Sequence, residues 1–376
     1  MKPTSKKILI LGFAASLVTA IILTIVFIDI NPNNGDPYDP PDEPDDDVVS
    51  KGDRLLGIAI SGRADSDFEA AFQEVQNAKV DFITFSQQWD DIETAPGVYY
   101  NGETNHLMKI ANDYYSAYGM KVAVTINPID TIKTRVPSDL VGLPLNNSQV
   151  VMRFNNMTDW IMTQIPDLDL VSFSIGNEMD IFLGEDIQKW AEFADFFNQT
   201  LQYIKSKEAD LIVGTKATFS GLTTGISKQQ LLSINHVSDA ILVTFYPFTS
   251  GFKFKDPALI STDIDILTAL YPSDEIQFLE AGYASSTDLD SSENRQAQFV
   301  HEMFNVWDDN KNQISAICFV WLYDITQETL DVYEQYYGIS DPNFLAYLAT
   351  LGLIKENFAP KVAFSTLKAE INARGW

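Results

Sequence analysis

The sequence predicts that residues 51–376 form a (β/α)8 barrel, the α/β fold known as the TIM barrel. Short apolar runs alternate with longer amphipathic stretches throughout this region, which is the pattern of strands that alternate with helices. The apolar runs number eight, and eight regular units fit a closed barrel better than an open doubly wound sheet. No G-x-G-x-x-G or Walker sequence follows the first run, which disfavours a nucleotide-binding sheet.

Residues 8–28 are predicted to be a transmembrane helix. These 21 residues carry no charged side chain, and at about 1.5 Å per residue they span a hydrocarbon core of roughly 30 Å. Lys2, Lys6 and Lys7 precede the segment and acidic residues follow it, so the positive-inside bias places residues 1–7 in the cytoplasm. The alternative is a cleaved signal peptide, which usually has a shorter apolar region and would give a secreted protein.

Residues 29–50 are predicted to be a disordered, acidic, proline-rich tether. Positions 31–50 contain seven acidic residues and five prolines. Proline favours the extended polyproline II conformation and like charges repel, so we expect the tether to hold the next domain away from the membrane. The predicted location is a single-pass cell-membrane protein with its catalytic domain, 51–376, outside the cell.

Composition excludes several classes of function. The chain has 52 acidic and 25 basic residues, a formal charge of -27, which opposes binding to nucleic acid. Cys318 is the single cysteine, which rules out an intramolecular disulfide and a thiolate zinc site. Three histidines are too scattered to predict a metal cluster. Any chemistry is therefore expected to rest on carboxylates, without a metal or cofactor.

The barrel strands are predicted from the apolar runs alone. They are expected at 55–60, 80–85, 121–126, 168–175, 211–215, 240–245, 276–279 and 314–320. Between the fourth and fifth runs, apolar residues recur every three or four positions over 187–204, which is typical of a helix that packs one face on a sheet.

Candidate active-site residues are sought just after the strands, because the loops that follow the strands of a (β/α)8 barrel carry the active site. Glu178 follows the fourth predicted strand and Glu280 follows the seventh. Tyr246 follows the sixth strand and Trp321 follows the eighth. Cleavage of a glycosidic bond uses one carboxylic acid and one carboxylate, and aromatic rings stack on sugars. The residues at the strand ends therefore match the needs of a glycosidase.

Five segments extend this match to known sequences. They are 174–178 (SIGNE), 278–283 (FLEAGY), 320–324 (VWLYD), 243–248 (VTFYPF) and 89–99 (WDDIETAPGVY). With them the chain resembles the clan A glycoside hydrolases, retaining (β/α)8 enzymes, over nearly all of 55–376. The FLEAGY and FYPF sequences are also similar to those of endo-β-1,4-galactanases.

The resemblance implies roles for individual residues. It implies that Glu178 is the acid/base, that Glu280 is the nucleophile and that Asn177 hydrogen-bonds the sugar 2-hydroxyl. It also implies that Trp321 forms the floor of the reactive subsite and that Tyr246 is the aromatic residue of the sixth strand. The implied reaction is a double displacement with retention, for which the two carboxyl groups lie about 5–5.5 Å apart.

Further candidate residues have two interpretations each. Trp89 and Glu93, in the segment after the second strand, are either a substrate platform or packing residues of their loop. Arg63, after the first strand, either binds at the site and steadies the nucleophile's carboxylate or is a surface residue.

The expected substrate is a β-linked oligosaccharide or polysaccharide, and the sequence does not choose between sugars. Two other functions stay open. One is a membrane-tethered carbohydrate-binding barrel without catalytic activity, which the presence of both carboxylates disfavours. The other is a cell-surface scaffold, for which the tether matters and the cleft does not. The lipid bilayer, contacted through 8–28, is the second expected partner.

Overall fold

The structure is a computed structural model that describes residues 48–376 of the chain. The predicted cytoplasmic end, the transmembrane helix and nearly all of the tether lie outside the described residues. Across 48–376, the helices are all too short or too polar to cross a membrane.

Eight parallel strands, β1 to β8, form a closed barrel within the described residues. Their bounds are Leu55–Ala59, Phe82–Gln88, Lys121–Asp130, Leu170–Asn177, Val213–Thr218, Ala240–Phe245, Glu275–Ala281 and Ile314–Val320. Each strand pairs with the next in sequence, and β8 pairs with β1, where Leu55 lies opposite Ala316. The predicted (β/α)8 architecture is confirmed.

A helix follows each strand, because parallel neighbours need a crossover connection. The barrel helices α1 to α8 are Phe68–Asn77, Leu107–Ala117, Ser148–Gln164, Ile187–Lys207, Gly225–Asn235, Ile260–Leu270, Glu293–Asp309 and Val362–Ala373. The apolar stripe predicted over 187–204 is the buried face of α4, whose N-terminus is capped by the Asp186 carboxylate. The buried apolar side chains of the strands and of the helices belong to one hydrophobic core.

Five strands, β2, β3, β4, β5 and β7, extend beyond their predicted C-terminal ends. β3 continues to Asp130 rather than ending near residue 126, and β5 runs from Val213 to Thr218 rather than from 211 to 215. The added residues include Asn127, Asp130 and Lys216, which are polar or charged and all buried. A search for apolar runs ends a strand at the first polar residue, so it stops short where a strand carries buried polar side chains into the barrel mouth.

Several short helices and short strands lie in the loops between the barrel strands and helices. Short helices lie at Trp89–Ile92, Tyr100–Gly102, Met179–Leu183, Phe219–Thr223, Ser250–Phe252, Pro257–Leu259 and Thr287–Leu289, and short strands at Glu93–Ala95, Val98–Tyr99 and Lys133–Thr134. Two helices between β8 and α8, Gln327–Tyr337 and Pro342–Ala349, lie over the C-terminal mouth of the barrel, and we call them the cover helices. Their tyrosines contact strand-end residues, as described below.

Candidate active site

Glu178 lies at the C-terminal end of β4 and is completely buried. Its backbone has φ 42° and ψ 39°, a left-handed conformation that is uncommon for a residue with a side chain and that recurs at functional sites. The Oγ1 atom of Thr244 lies 2.7 Å from Oε1 of Glu178, and Oγ1 of Thr131 lies 3.2 Å from Oε2. Both of these contacts are made by neutral hydroxyl groups.

Burial first, and then the negative charge of Glu280, raise the pKa of Glu178 to about 8. A carboxyl group with this pKa is protonated at neutral pH. Glu178 therefore has the property that a general acid requires, a proton to give at the pH of the reaction.

Glu280 lies near the end of β7 and has a different environment. The Lys216 ammonium donates to its Oε1 at 2.6 Å, and the Tyr246 hydroxyl donates to its Oε2 at 2.8 Å. Burial first, and then the charge of Glu280, raise the pKa of Tyr246, so that this phenol keeps its proton and remains a donor. A cation and a hydroxyl donor therefore hold both oxygens of the Glu280 carboxylate, which fixes its orientation as a nucleophile requires.

The strand register explains which side chains meet. In a (β/α)8 barrel, the side chains of one interior layer come from alternate strands. The even strands β4 and β6 bring together Glu178 and Thr244, and the odd strands β5 and β7 bring together Lys216 and Glu280. The two layers are adjacent because Thr244 pairs with Glu280 across the β6–β7 ladder.

A buried amide cluster adjoins the two glutamates. Asn177 and Gln88 each donate their amide NH2 group to the Asp130 carboxylate at 2.9 Å, and the Tyr336 hydroxyl of the first cover helix donates to it as well. Asn177 also donates to the Thr131 hydroxyl at 3.3 Å. Burial raises the pKa of Asp130, against the opposing effect of these donors.

This cluster leaves acceptor atoms without partners. Among the described residues, Oδ1 of Asn177 and Oε1 of Gln88 are buried and accept no hydrogen bond. Leaving a buried acceptor unpaired costs about 1–3 kcal/mol, which a ligand hydroxyl would recover. Because Asp130 holds both NH2 groups, the amide oxygens are the atoms left for a ligand.

The aromatic candidates have different environments. Tyr246 contacts Glu280 directly, as described above. Trp321 is 2% exposed and stacks on Tyr333 of the first cover helix, with ring centroids 5.9 Å apart. Trp89 is completely buried, donates to the Glu93 carboxylate at 2.9 Å and packs edge-on against Phe154.

Trp89 and Glu93 correspond to the loop-packing interpretation. Glu93 also accepts from Arg153 at 2.8 Å and from the backbone N–H of Gly97 at 2.8 Å. These contacts use the carboxylate inside the protein and leave no face of the Trp89 ring open to a sugar. These contacts favour the loop-packing interpretation over the substrate platform for Trp89 and Glu93.

Arg63 does not contact Glu280. It donates to both carboxylate oxygens of Asp65, at 2.9 and 2.8 Å, and to the Tyr323 hydroxyl at 3.0 Å. Its guanidinium lies 4.0 Å from the centroid of the Phe358 ring. Arg63 belongs to the rim beside the mouth, and Lys216 makes the contact with Glu280 that sequence reasoning expected of Arg63.

A cleft of about 820 Å³ opens next to this rim, between the segments that follow β1, β7 and β8. Asp65, Ser285, Asp324, Phe358 and Lys361 are among its lining residues. Glu178 and Glu280 are not among its lining residues, and both are buried. Burial raises the pKa of Asp324 to about 6 although Lys361 lies 2.7 Å away. Among residues 48–376, no group of three or more His, Cys, Asp or Glu side chains is placed to hold a metal ion.

Sequence reasoning missed Lys216, Thr131, Thr244, Asp130 and Gln88. Each lies among the last residues of a strand or just after it, so its place at a strand end is the signal that could have identified it. Lys216 carries a second signal, since it is the one charged residue of the strand Val213–Thr218.

No protein-family model and no curated protein matches this sequence. Solved structures match the fold. A GH5_18 variant from Streptomyces cattleya, in complex with Manb1-4GlcNAc, is 12% identical over 85% of this chain and 80% of that chain, with a TM-score of 0.65. The exo-beta-1,4-mannosidase Op5Man5 from Opitutaceae bacterium strain TAV5 is 12% identical over 85% and 59%, with a TM-score of 0.62. Xylanase 10B from Thermotoga maritima is 12% identical over 85% and 95%, with a TM-score of 0.58.

The low identities mean that the chain shares a fold with these proteins. That fold is the (β/α)8 barrel, the fold that the sequence resemblance implies.

Proposed function

We propose that the chain is a retaining glycoside hydrolase that cleaves β-glycosidic bonds of an oligosaccharide or polysaccharide. The observation that carries the proposal is a pair of buried carboxyl groups with different neighbours: burial and negative charge raise the pKa of Glu178, whereas Lys216 and Tyr246 hold the two oxygens of Glu280. Such a pair divides the roles of acid and nucleophile between two residues of the same type.

The reaction has two steps. In the first, a Glu280 oxygen attacks the anomeric carbon, the glycosidic C–O bond breaks, and Glu178 gives its proton to the leaving oxygen. In the second, the Glu178 carboxylate takes a proton from water, the water oxygen bonds to the anomeric carbon, and the ester bond to Glu280 breaks. Both residues return to their starting protonation states, and no cofactor takes part.

The substrate class is supported by the matched proteins and by the amide cluster. One matched protein is in complex with Manb1-4GlcNAc and another is an exo-beta-1,4-mannosidase. The ligand of the first and the name of the second both specify a β-1,4 linkage. In this chain, the unpaired oxygens of Asn177 and Gln88 are suited to accept hydrogen bonds from sugar hydroxyls. A β-linked glycan supplies such donors along its whole length.

The test is hydrolysis by the purified full chain on aryl β-glycosides and on β-linked glycans. We expect turnover that Glu280→Gln abolishes, since an amide cannot attack the anomeric carbon. Glu275→Gln is the matched control, because Glu275 is at the opposite end of β7 and bonds to Gln277 and Ser315. Glycan binding without hydrolysis would support the inactive carbohydrate-binding barrel instead, and neither binding nor hydrolysis would support the scaffold.

We also propose that residues 8–28 anchor the protein in the cell membrane and that the barrel lies outside the cell. The support is in the sequence: residues 8–28 carry no charge, lysines precede them and an acidic proline-rich stretch follows. Fractionation of expressing cells tests this. The full chain is expected in the membrane fraction and sensitive to protease added outside intact cells, whereas a secreted form lacking residues 8–28 would favour the cleaved signal peptide.

A further inference from the structure

Lys216 is a buried lysine at the centre of the barrel mouth. Its side chain is 3% exposed, and its ammonium lies 2.6 Å from Oε1 of Glu280, whose side chain is 8% exposed. Lysine is almost never fully buried unless its charge is paired, because removing an ammonium group from water is unfavourable. The placement of Lys216 therefore calls for an explanation in terms of its partner.

Stability alone is a weak explanation for this pair. A buried ion pair is often no more stabilising than a well-packed apolar pair of the same volume, because both charges lose their hydration. The interior positions of a barrel are filled mainly by branched apolar residues. A charged residue here, on the strand two places before the one that carries Glu280, is better explained by what it does to Glu280.

The groups around Lys216 and Glu280 indicate what Lys216 contributes to this ion pair. Tyr246 donates to the other oxygen of Glu280, so both oxygens of that carboxylate are held. The titratable groups that face the pair are Glu178 from β4, Asp130 from β3, Cys318 from β8 and Tyr347 from the second cover helix. None of these is a cation, so within the described residues that face the pair, the positive charge comes from Lys216.

We propose that Lys216 is a positioning residue for the nucleophile, holding the Glu280 carboxylate ionised and fixed in orientation. The proposal rests on the proposed function for its catalytic meaning, and it assigns to Lys216 of β5 the role that was one of the two interpretations of Arg63. Arg63 is engaged by Asp65 and Tyr323, so the two residues are not interchangeable.

The same lysine also bears on the second step of the reaction. The pKa of Glu178 is raised by the charge of Glu280 and lowered by the charge of Lys216. When Glu280 becomes an ester its charge disappears, while the Lys216 ammonium remains. The pKa of Glu178 then falls, and its carboxylate is ready to take a proton from water.

The test compares Lys216→Met, Lys216→Gln and Lys216→Arg with the wild type. Lys216→Met keeps the length of the side chain and removes its charge, Lys216→Gln is a second neutral variant in case the first does not fold, and Lys216→Arg keeps the charge. The matched control is Lys205→Met, because Lys205 forms an ion pair with Asp239 at 2.9 Å on the outside of the barrel.

We expect the neutral variants to lose on the order of 10²-fold in kcat/KM at neutral pH. The acidic limb of their pH–rate profile should move to higher pH, since removing a cation from contact with a carboxylate disfavours its charged form. Lys216→Arg should recover part of the loss, and Lys205→Met should match the wild type. A folded neutral variant with an unmoved acidic limb would overturn the proposal.

A second measurement does not depend on activity. The ¹³C signal of the Glu280 carboxyl, assigned by its loss in Glu280→Gln, is followed against pH in the full chain and in the neutral variants. Protonation of Glu280 should occur at a higher pH without the lysine, and an unchanged midpoint would overturn the proposal. If the wild type hydrolyses no glycoside, the proposed function fails, and this titration still decides whether Lys216 controls Glu280.

Discussion

The two glutamates show how identical side chains acquire different chemistry from their neighbours. Glu178 contacts the hydroxyl groups of Thr131 and Thr244, whereas Glu280 contacts a lysine ammonium and a tyrosine hydroxyl. Burial and the negative charge of Glu280 favour the protonated form of Glu178, whereas Lys216 and Tyr246 hold the two oxygens of the Glu280 carboxylate. In the proposed function, these neighbours distinguish the acid from the nucleophile.

Glu178→Gln tests the acid assignment. We expect hydrolysis of natural glycosides, whose leaving groups need a proton, to fall by about 10²–10⁴-fold. Aryl glycosides with good leaving groups should lose much less in the first step. The measurement is kcat/KM on a series of leaving groups of graded acidity. An equal loss across the series would show that Glu178 is not the acid.

The raised pKa of Glu178 also makes a prediction for stability. The ordinary pKa of a glutamate is 4.5, and in the folded protein that of Glu178 is about 8. The unfolded chain therefore releases this proton first, so ionisation of Glu178 destabilises the fold as pH rises from about 4.5 to 8. The slope approaches about 1.4 kcal/mol per pH unit within that window and vanishes outside it.

Glu178→Gln removes this titration. We expect the variant to gain stability over the wild type as pH rises from 5 to 8, by denaturant unfolding at each pH. Glu185→Gln, at an exposed position in the same loop, is the control and should follow the wild type. A difference between Glu178→Gln and wild type that does not change with pH would contradict the raised pKa.

At the level of elements, the cover helices decide how the mouth is closed. The first of them, Gln327–Tyr337, places Tyr333 on the Trp321 ring and brings the Tyr336 hydroxyl to Asp130. The second, Pro342–Ala349, places Tyr347 edge-on against Tyr246, with centroids 5.5 Å apart. A tyrosine from each helix thus orients an aromatic residue at a strand end.

Tyr333→Ala tests this orienting role. Stacked aromatic pairs contribute about 0.5–1.5 kcal/mol beyond their buried area, so release of Trp321 is expected to raise KM by roughly 2- to 12-fold with a smaller effect on kcat. Val332→Ala is the control, since Val332 is 60% exposed on the same helix. Faster turnover in Tyr333→Ala would instead mean that the ring only blocks the mouth.

At the scale of the whole molecule, the two ends of the barrel differ in the kind of contact that their residues make. At the N-terminal face, Asp308 accepts from Arg54 at 2.6 Å and from Arg374 at 2.9 Å, and it thereby joins the residue before β1 to the ends of α7 and α8. The guanidinium of Arg54 lies over the rings of Trp307 and Trp376. Residues at this face of a barrel serve stability, whereas those at the opposite face serve catalysis.

Asp308→Asn is therefore expected to separate stability from activity. Removing one partner of buried charges costs about 3–5 kcal/mol, which would appear as a lower midpoint in denaturant unfolding. Because Asp308 lies at the far end of the barrel, kcat/KM should be unchanged below the unfolding transition. Asp309→Asn is the neighbouring control, at an exposed position without an ion pair among the described residues.

Much of the fold followed from the chain alone. Apolar runs at a regular spacing, each followed by an amphipathic stretch, predicted eight strands and a closed barrel, and the structure has both. The strand ends at Asp130 and Thr218 were misplaced because buried polar residues interrupt the apolar runs there. Local pattern is a sound guide where a strand packs only against apolar neighbours, and it fails where a strand enters a polar site.

The sequence by itself determined the type of barrel, the two glutamates at strand ends and the candidate anchor at 8–28, because each depends on the order and spacing of residues along one segment. Only the tertiary structure decided that Lys216 rather than Arg63 contacts Glu280, that Trp89 is buried, and that tyrosines of the cover helices lie over the mouth. Those contacts join segments far apart in the chain. Their partners are set by barrel closure and strand register, which no single segment encodes.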